Sequence, residues 1–85
     1  NFSDRRGEID IIARDGEYLV FVEVKYRRDE KQGNPAEAVD LRKQQHIRHA
    51  AEYYLYKNRV SDAMPCRFDV VAILGDRITL IRDAF

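Results

Sequence analysis

The segment Tyr18 to Tyr26 constrains this chain more than any other stretch. It reads Tyr-Leu-Val-Phe-Val-Glu-Val-Lys-Tyr. β-Branched and aromatic residues fill both of its alternating faces, a pattern that suits a central strand covered on both sides. Two positions break it, Glu23 and Lys25. Charge inside a sheet is costly unless it has a partner or a task. The two residues are two apart, so they point to the same face, which they share with Leu19 and Phe21.

The flanking sequence supplies this strand with neighbours. Gly7 to Arg14 is a second β-rich run, and Asp15-Gly16 between the two runs is a strong hairpin signal. A two-residue turn at Asp15-Gly16 predicts Asp10 opposite Phe21 and Glu8 opposite Glu23. Asp10, Glu8, Glu23 and Lys25 then fall on one face, with Asp10 and Glu23 diagonal neighbours about 7 Å apart.

Arg27 to Gly33 is polar and aperiodic and reads as a loop. Asn34-Pro35-Ala36-Glu37 has the cap, first-turn proline and reaching glutamate of a helix start, and Asp40 is a second candidate cap. From Leu41 to about Asn58 the residues favour helix, with Ile47, Ala50, Ala51, Tyr54 and Leu55 as its apolar stripe. After a connector at Val60 to Pro65, Arg67 to Leu74 reads as another buried strand, Gly75-Asp76 as a turn and Arg77 to Arg82 as a returning strand.

A strand, a helix and a second strand form a crossover unit, whose strands lie parallel. The expected fold is one α/β domain over residues 1–85: a mixed β-sheet of about four strands with a crossover helix. One long helix covers one sheet face. The other face is either exposed or covered by an element preceding Asn1. The second arrangement is the expectation here, with Asn1-Phe2-Ser3 as the tail of an earlier strand.

Bulk composition limits the function classes. The formal net charge of the 85 residues is zero, so a nucleic-acid partner requires a local patch. The single cysteine, Cys66, permits no intramolecular disulfide and no paired zinc motif; it fits a reducing, cytoplasmic setting and reads as a small buried filler before a strand. No apolar run is long enough to span a membrane, and no signal peptide is visible.

Two carboxylates converging from adjacent strands repel one another unless a cation lies between them. Asp10 and Glu23 are therefore the candidate metal ligands, with the carbonyl of Val24 as a third donor. Oxygen donors of this kind suit magnesium or manganese. Lys25 beside that ion would orient a water or balance charge building on a phosphate, and the ion would activate the water for in-line attack on phosphorus. The competing reading of these three charges is a structural ion-pair cluster on a partly exposed face.

Asp10 followed by Glu23-Val24-Lys25 resembles the PD-(D/E)XK motif of restriction-type endonucleases and Holliday-junction resolvases. Gly7 to Ala13, Val20 to Lys25, Arg67 to Ile73 and the closing Asp83-Ala84-Phe85 together resemble the small bacterial YraN-like family, which is placed in that superfamily by fold. The resemblance implies a restriction endonuclease-like core, with Asp10, Glu23 and Lys25 as catalytic residues and a magnesium or manganese cofactor. It also implies a helix carrying a further glutamate, and a first strand, ahead of this segment. Lys43 and Gln44 correspond to the helix position where related enzymes place a Lys or Gln near the metal.

Arg42, Lys43, Gln44, His46, Arg48 and His49 would form a phosphate-gripping helix face or simply a solvated one. Arg42, Lys43, Gln44 and Arg48 are the candidate nucleic-acid-binding residues, and the histidines read as surface residues. Tyr53, Tyr54 and Tyr56 include core members. Asp69 is either an arginine partner or a helix-facing polar residue. The leading functional expectation is a divalent-metal-dependent nuclease acting on DNA, branched or single-stranded, and as a homodimer by analogy with junction-cutting enzymes. The alternatives are a nuclease-like module that binds nucleic acid without cutting, and a structural or protein-interaction domain.

Overall fold

The computed structural model describes residues 2–3 (backbone only), 8–29, 31 and 39–85. Its elements are β1 (Phe2–Ser3), β2 (Glu8–Ile9), β3 (Ile11–Asp15), β4 (Tyr18–Arg27), α1 (Leu41–Lys57), β5 (Cys66–Leu74) and β6 (Arg77–Ile81). A four-stranded sheet has the order β3-β4-β5-β6, and β1 pairs with β2 in a separate two-stranded sheet. β4 and β5 are parallel and joined through α1, whereas β3 and β6 run antiparallel to their neighbours. The mixed α/β sheet with a crossover helix is thus as the sequence predicts.

Three details differ. The Gly7–Arg14 run is broken by a bend at Asp10 into β2 and β3, and β2 turns away to pair with β1, setting Glu8 opposite Ser3. Glu8 is therefore not opposite Glu23. The hairpin turn is Gly16-Glu17, because Asp15 pairs with Tyr18 as the last rung. Gly16 has φ 60° while Glu17 stays out of the positive region, the pattern of a turn that needs glycine at its first central position. This moves the register by two residues, so Ile12 rather than Asp10 faces Phe21. A shift of two preserves the face on which each side chain lies. Arg27, expected in the loop, is the last residue of β4 and pairs with Leu74.

Asp40 is the N-cap of α1. Its Oδ1 accepts from Lys43 N at 2.9 Å, satisfying one of the orphan amides of the first turn. The proposed start at Asn34 to Glu37 lies outside the described residues. At the other end Asn58 Nδ2 and N both donate to Tyr54 O, and Arg59, with φ 54°, ends the helix.

The core lies between α1 and one sheet face. Ile47, Ala50 and Ala51 of the helix meet Leu19 and Phe21 of β4 and Val70 of β5, joined by Ile9 and Val39. Phe21 packs edge-on to Tyr54 and stacks on Phe68, which stacks in turn on Phe85. Cys66 opens β5 and is half-buried. The opposite sheet face exposes Ile11, Ile78 and Leu80, and no helix among the described residues lies over it.

That opposite face carries an ion-pair network. Arg67 grips both oxygens of Asp69 at 2.9 Å and reaches Asp15 at 3.0 Å, while Arg82 reaches Asp15 at 2.8 Å. Asp69 is 2 % exposed and also accepts from Asp83 N at 3.0 Å. Burial works against its charge, but the Arg67 fork and the Asp83 amide outweigh it and hold the carboxyl below its ordinary range. Of the two roles the sequence left open for Asp69, the structure selects the arginine partner.

Candidate active site

Strand alternation places Leu19, Phe21, Glu23, Lys25 and Arg27 along the helix-facing side of β4. The first two meet the core. Glu23 sits where the first turn of α1 crosses the sheet, and it is 4 % exposed. The site therefore lies toward the carboxyl ends of the parallel strands β4 and β5, beside a helix N-terminus, where open α/β sheets commonly bind ligands.

Asp10 reaches this place because the chain bends there. Continuing the β3–β4 register by one residue sets it opposite Glu23, closer than the diagonal placement predicted from sequence. Its Oδ2 accepts from Val24 N at 2.9 Å. That amide lies past the last rung of the ladder, so a side-chain carboxylate stands in for a strand carbonyl. Of Val24, then, it is the amide that takes part in the observed geometry.

The two carboxyls are close enough to act on one another's ionisation. Burial, then the neighbouring Asp10, push the Glu23 carboxyl up to about 7, against the pull of Lys43. Asp10 is held below its ordinary value. Burial opposes this, but the Glu23 side chain, the Val24 amide and the charges of Lys43 and Lys25 prevail. The pair thus divides into one readily ionised acid and one that shares a proton near neutrality.

Lys43 brings its Nζ to 3.1 Å from Glu23 Oε2. The angles fall outside hydrogen-bonding geometry, so this buried oxygen has an ion-pair partner and no hydrogen bond. Lys25 is half-buried on the same side of β4 and close enough to act on Asp10.

The other helix candidates separate. Gln44 turns its Nε2 to Val39 O at 3.1 Å, bracing the start of α1. Arg42 is exposed beside Lys43. Arg48 is drawn elsewhere: its guanidinium lies over the rings of Phe68 and Phe85, 4.9 and 5.5 Å from their centroids. The stacked aromatics explain its departure from the Lys43 side. His46 and His49 are exposed, as are Tyr53 and Tyr56, while Tyr54 joins the core. Sequence reasoning placed Lys43 among phosphate contacts and did not foresee its pairing with Glu23. The usable signal was its position in the first turn of a crossover helix that must pass over the charged end of β4.

As a cation site the donors are two neighbouring carboxylates, one with a buried oxygen lacking a hydrogen bond. That chemistry fits a hard divalent ion. Among the described residues no group of three or more His, Cys, Asp or Glu side chains is placed to hold a metal.

Comparison with known proteins assigns the lineage. The family model described as "Uncharacterised protein family UPF0102" matches residues 1–73. The chain belongs to the UPF0102 family. The UPF0102 protein of Lachnoclostridium phytofermentans is 53% identical over 85 residues, covering 100% of this chain and 72% of that protein. The UPF0102 protein of Chromohalobacter salexigens is 54% identical over 71 residues, 84% of this chain and 56% of its own length. That of Xanthomonas oryzae pv. oryzae is 48% identical over 87 residues, covering 100% of this chain and 71% of its own. The expectation of a small bacterial family is met in UPF0102. No helix among the described residues of this UPF0102 chain is long and apolar enough to cross a membrane.

Proposed function

We propose that this protein is a divalent-metal-dependent nuclease of the PD-(D/E)XK type, with a restriction endonuclease-like core, that hydrolyses DNA phosphodiester bonds. The observation that carries the reading is the meeting of Asp10 and Glu23 at a strand break, with Lys25 on the same side of β4. Burying a second carboxylate against the first gives the fold nothing. A role in holding a cation supplies the missing reason.

In this reading Asp10 and Glu23 hold magnesium or manganese, with the Val24 carbonyl as a further candidate donor. When bound, the ion supplies charge neutralisation at the phosphate and lowers the pKa of an adjacent water. Glu23, pushed up to about 7 in the absence of the ion, would give up its proton on taking the ion. Lys25 offers its ammonium to charge developing on the phosphoryl oxygens. Arg42 and Lys43, at a helix N-terminus with no acidic residue in its first turn, contribute positive potential toward the incoming backbone.

The test is to incubate the full-length protein with linear, flapped, single-stranded and four-way DNA in magnesium or manganese. Cleavage of at least one substrate, dependent on the metal and abolished by Glu23→Gln, supports the reading. Failure on all of them refutes it. One observation favours a second reading, a nucleic-acid-binding module that does not cut. Lys43 already neutralises Glu23 at 3.1 Å, and an ammonium kept there would replace the ion. Binding without cleavage under every condition would select it.

A further inference from the structure

We infer that Arg27 is a phosphate-binding residue of this same site, gripping the backbone phosphate next to the one that Lys25 faces. The inference rests on the nucleic-acid reading above and adds to it a residue and a direction for the bound strand.

Arg27 extends the line of Glu23 and Lys25 by one more alternate position. Two residues along a strand advance roughly 6.6 Å, comparable with the separation of successive phosphates in an extended nucleic-acid strand. Lys25 and Arg27 therefore offer two cations at the repeat of the polyanion, starting from the acidic pair.

The bonding of the Arg27 side chain is incomplete. It is half-buried, its Nε is buried without a hydrogen-bond partner, and its Nη1 has only a long contact of 3.4 Å to Tyr26 O. No carboxylate among the described residues pairs with it. Arg67 shows what a structural arginine looks like in this fold: held at 2.9–3.0 Å by Asp69 and Asp15. A buried guanidinium N–H left unmade is costly. A phosphate, which matches the planar fork of arginine, would satisfy it.

The main chain holds this arginine in place. Arg27 O accepts from Gly75 N at 2.9 Å, and Arg27 pairs with Leu74. Gly75 sits in the β5–β6 turn with φ 61°, and a Cβ there would lie 3.4 Å from Arg28 O. The turn thus packs directly on the end of β4 and fixes the direction in which Arg27 leaves the sheet. Of the energy needed to order a phosphate-binding arginine, the backbone share is already spent in folding.

The experiment measures binding of full-length protein to a labelled single strand and a labelled four-way junction over a range of salt concentrations. The variants are Arg27→Gln, Arg27→Lys and, as a control at the far end of the hairpin, Arg14→Gln. Loss of one phosphate contact lowers the slope of log affinity against log salt by about 1. Arg27→Gln is expected to show that loss, Arg27→Lys to recover the slope with weaker affinity, and Arg14→Gln to match wild type. An unchanged slope and affinity for Arg27→Gln, in a wild type that binds and cuts, overturns this inference alone. An equal loss in Arg14→Gln also overturns it, since any surface arginine would then serve. A wild type that neither binds nor cuts overturns the proposed function, and this inference with it.

Discussion

Lys43, in the first turn of α1, holds its Nζ 3.1 Å from Glu23 Oε2 in β4. This contact joins the crossover helix to the acidic pair and places an ammonium cation where the proposal puts a metal ion. Removing the Lys43 charge in Lys43→Gln should raise the Glu23 carboxyl further above about 7, because Lys43 is one of the influences pulling it down. Carbon-13 NMR titration of the Glu23 carboxyl reads this directly. An unmoved titration would mean that the pair is not formed in solution.

The pH dependence of stability follows from the same residue. An acid whose pKa is higher in the folded state favours folding while protonated. The contribution of Glu23 is complete below its ordinary value of 4.5 and is lost as pH rises through about 7. Metal-free full-length protein should lose thermal stability across that interval, and Glu23→Gln should flatten the loss. Saturating magnesium or manganese should restore stability at the upper end. Thermal melts across pH check all three, and an equal decline in Glu23→Gln would assign the effect elsewhere.

On the opposite face the two aspartates of the arginine network should differ sharply. Asp69 is 2 % exposed and satisfies both Arg67 and the Asp83 amide, whereas Asp15 is exposed. Asp69→Ala strips Arg67 of its two-bonded partner, leaving it only the exposed Asp15, and leaves the Asp83 amide without its acceptor; it should lower the melting temperature far more than Asp15→Ala. Comparable effects would show that the network is dispersed rather than centred on Asp69.

Two local features of the fold have graded expectations. Phe21 is 1 % exposed and touches Tyr54 and Phe68, so Phe21→Ala should cost about 3–5 kcal/mol. Asp40→Ala removes the cap on Lys43 N and should cost about 1 kcal/mol. Denaturant unfolding measures both, and a cap cost near zero would place the true helix start elsewhere.

What the sequence revealed and what it hid divide along physical lines. Alternation in Tyr18 to Tyr26 and the crossover rule gave the sheet, its parallel pair and the face shared by Asp10, Glu23 and Lys25, because these depend on parity and chain connection. The register was misplaced by two residues, since both Asp15-Gly16 and Gly16-Glu17 can form a tight turn and only the latter starts with glycine. The bend at Asp10 was invisible, because it accompanies a bond to Val24 N, 14 residues away in the chain. Arg48 shared its charge pattern with Arg42 and Lys43, but its fate was set by Phe68 and Phe85, which are remote in the chain. Arg27 was hidden by the polar residues after it, although it has the same parity as Glu23 and Lys25.

The central claim is that Asp10, Glu23 and Lys25 cut DNA rather than merely hold it. The most direct measurement compares binding and cleavage by full-length wild type and Lys25→Ala on the same DNA panel, with magnesium and with manganese. Both proteins should bind, and only wild type should cut, with a rate loss of about 10²-fold or more in the variant. Cleavage by Lys25→Ala at the wild-type rate, or a wild type that binds every substrate and cuts none, would contradict the account.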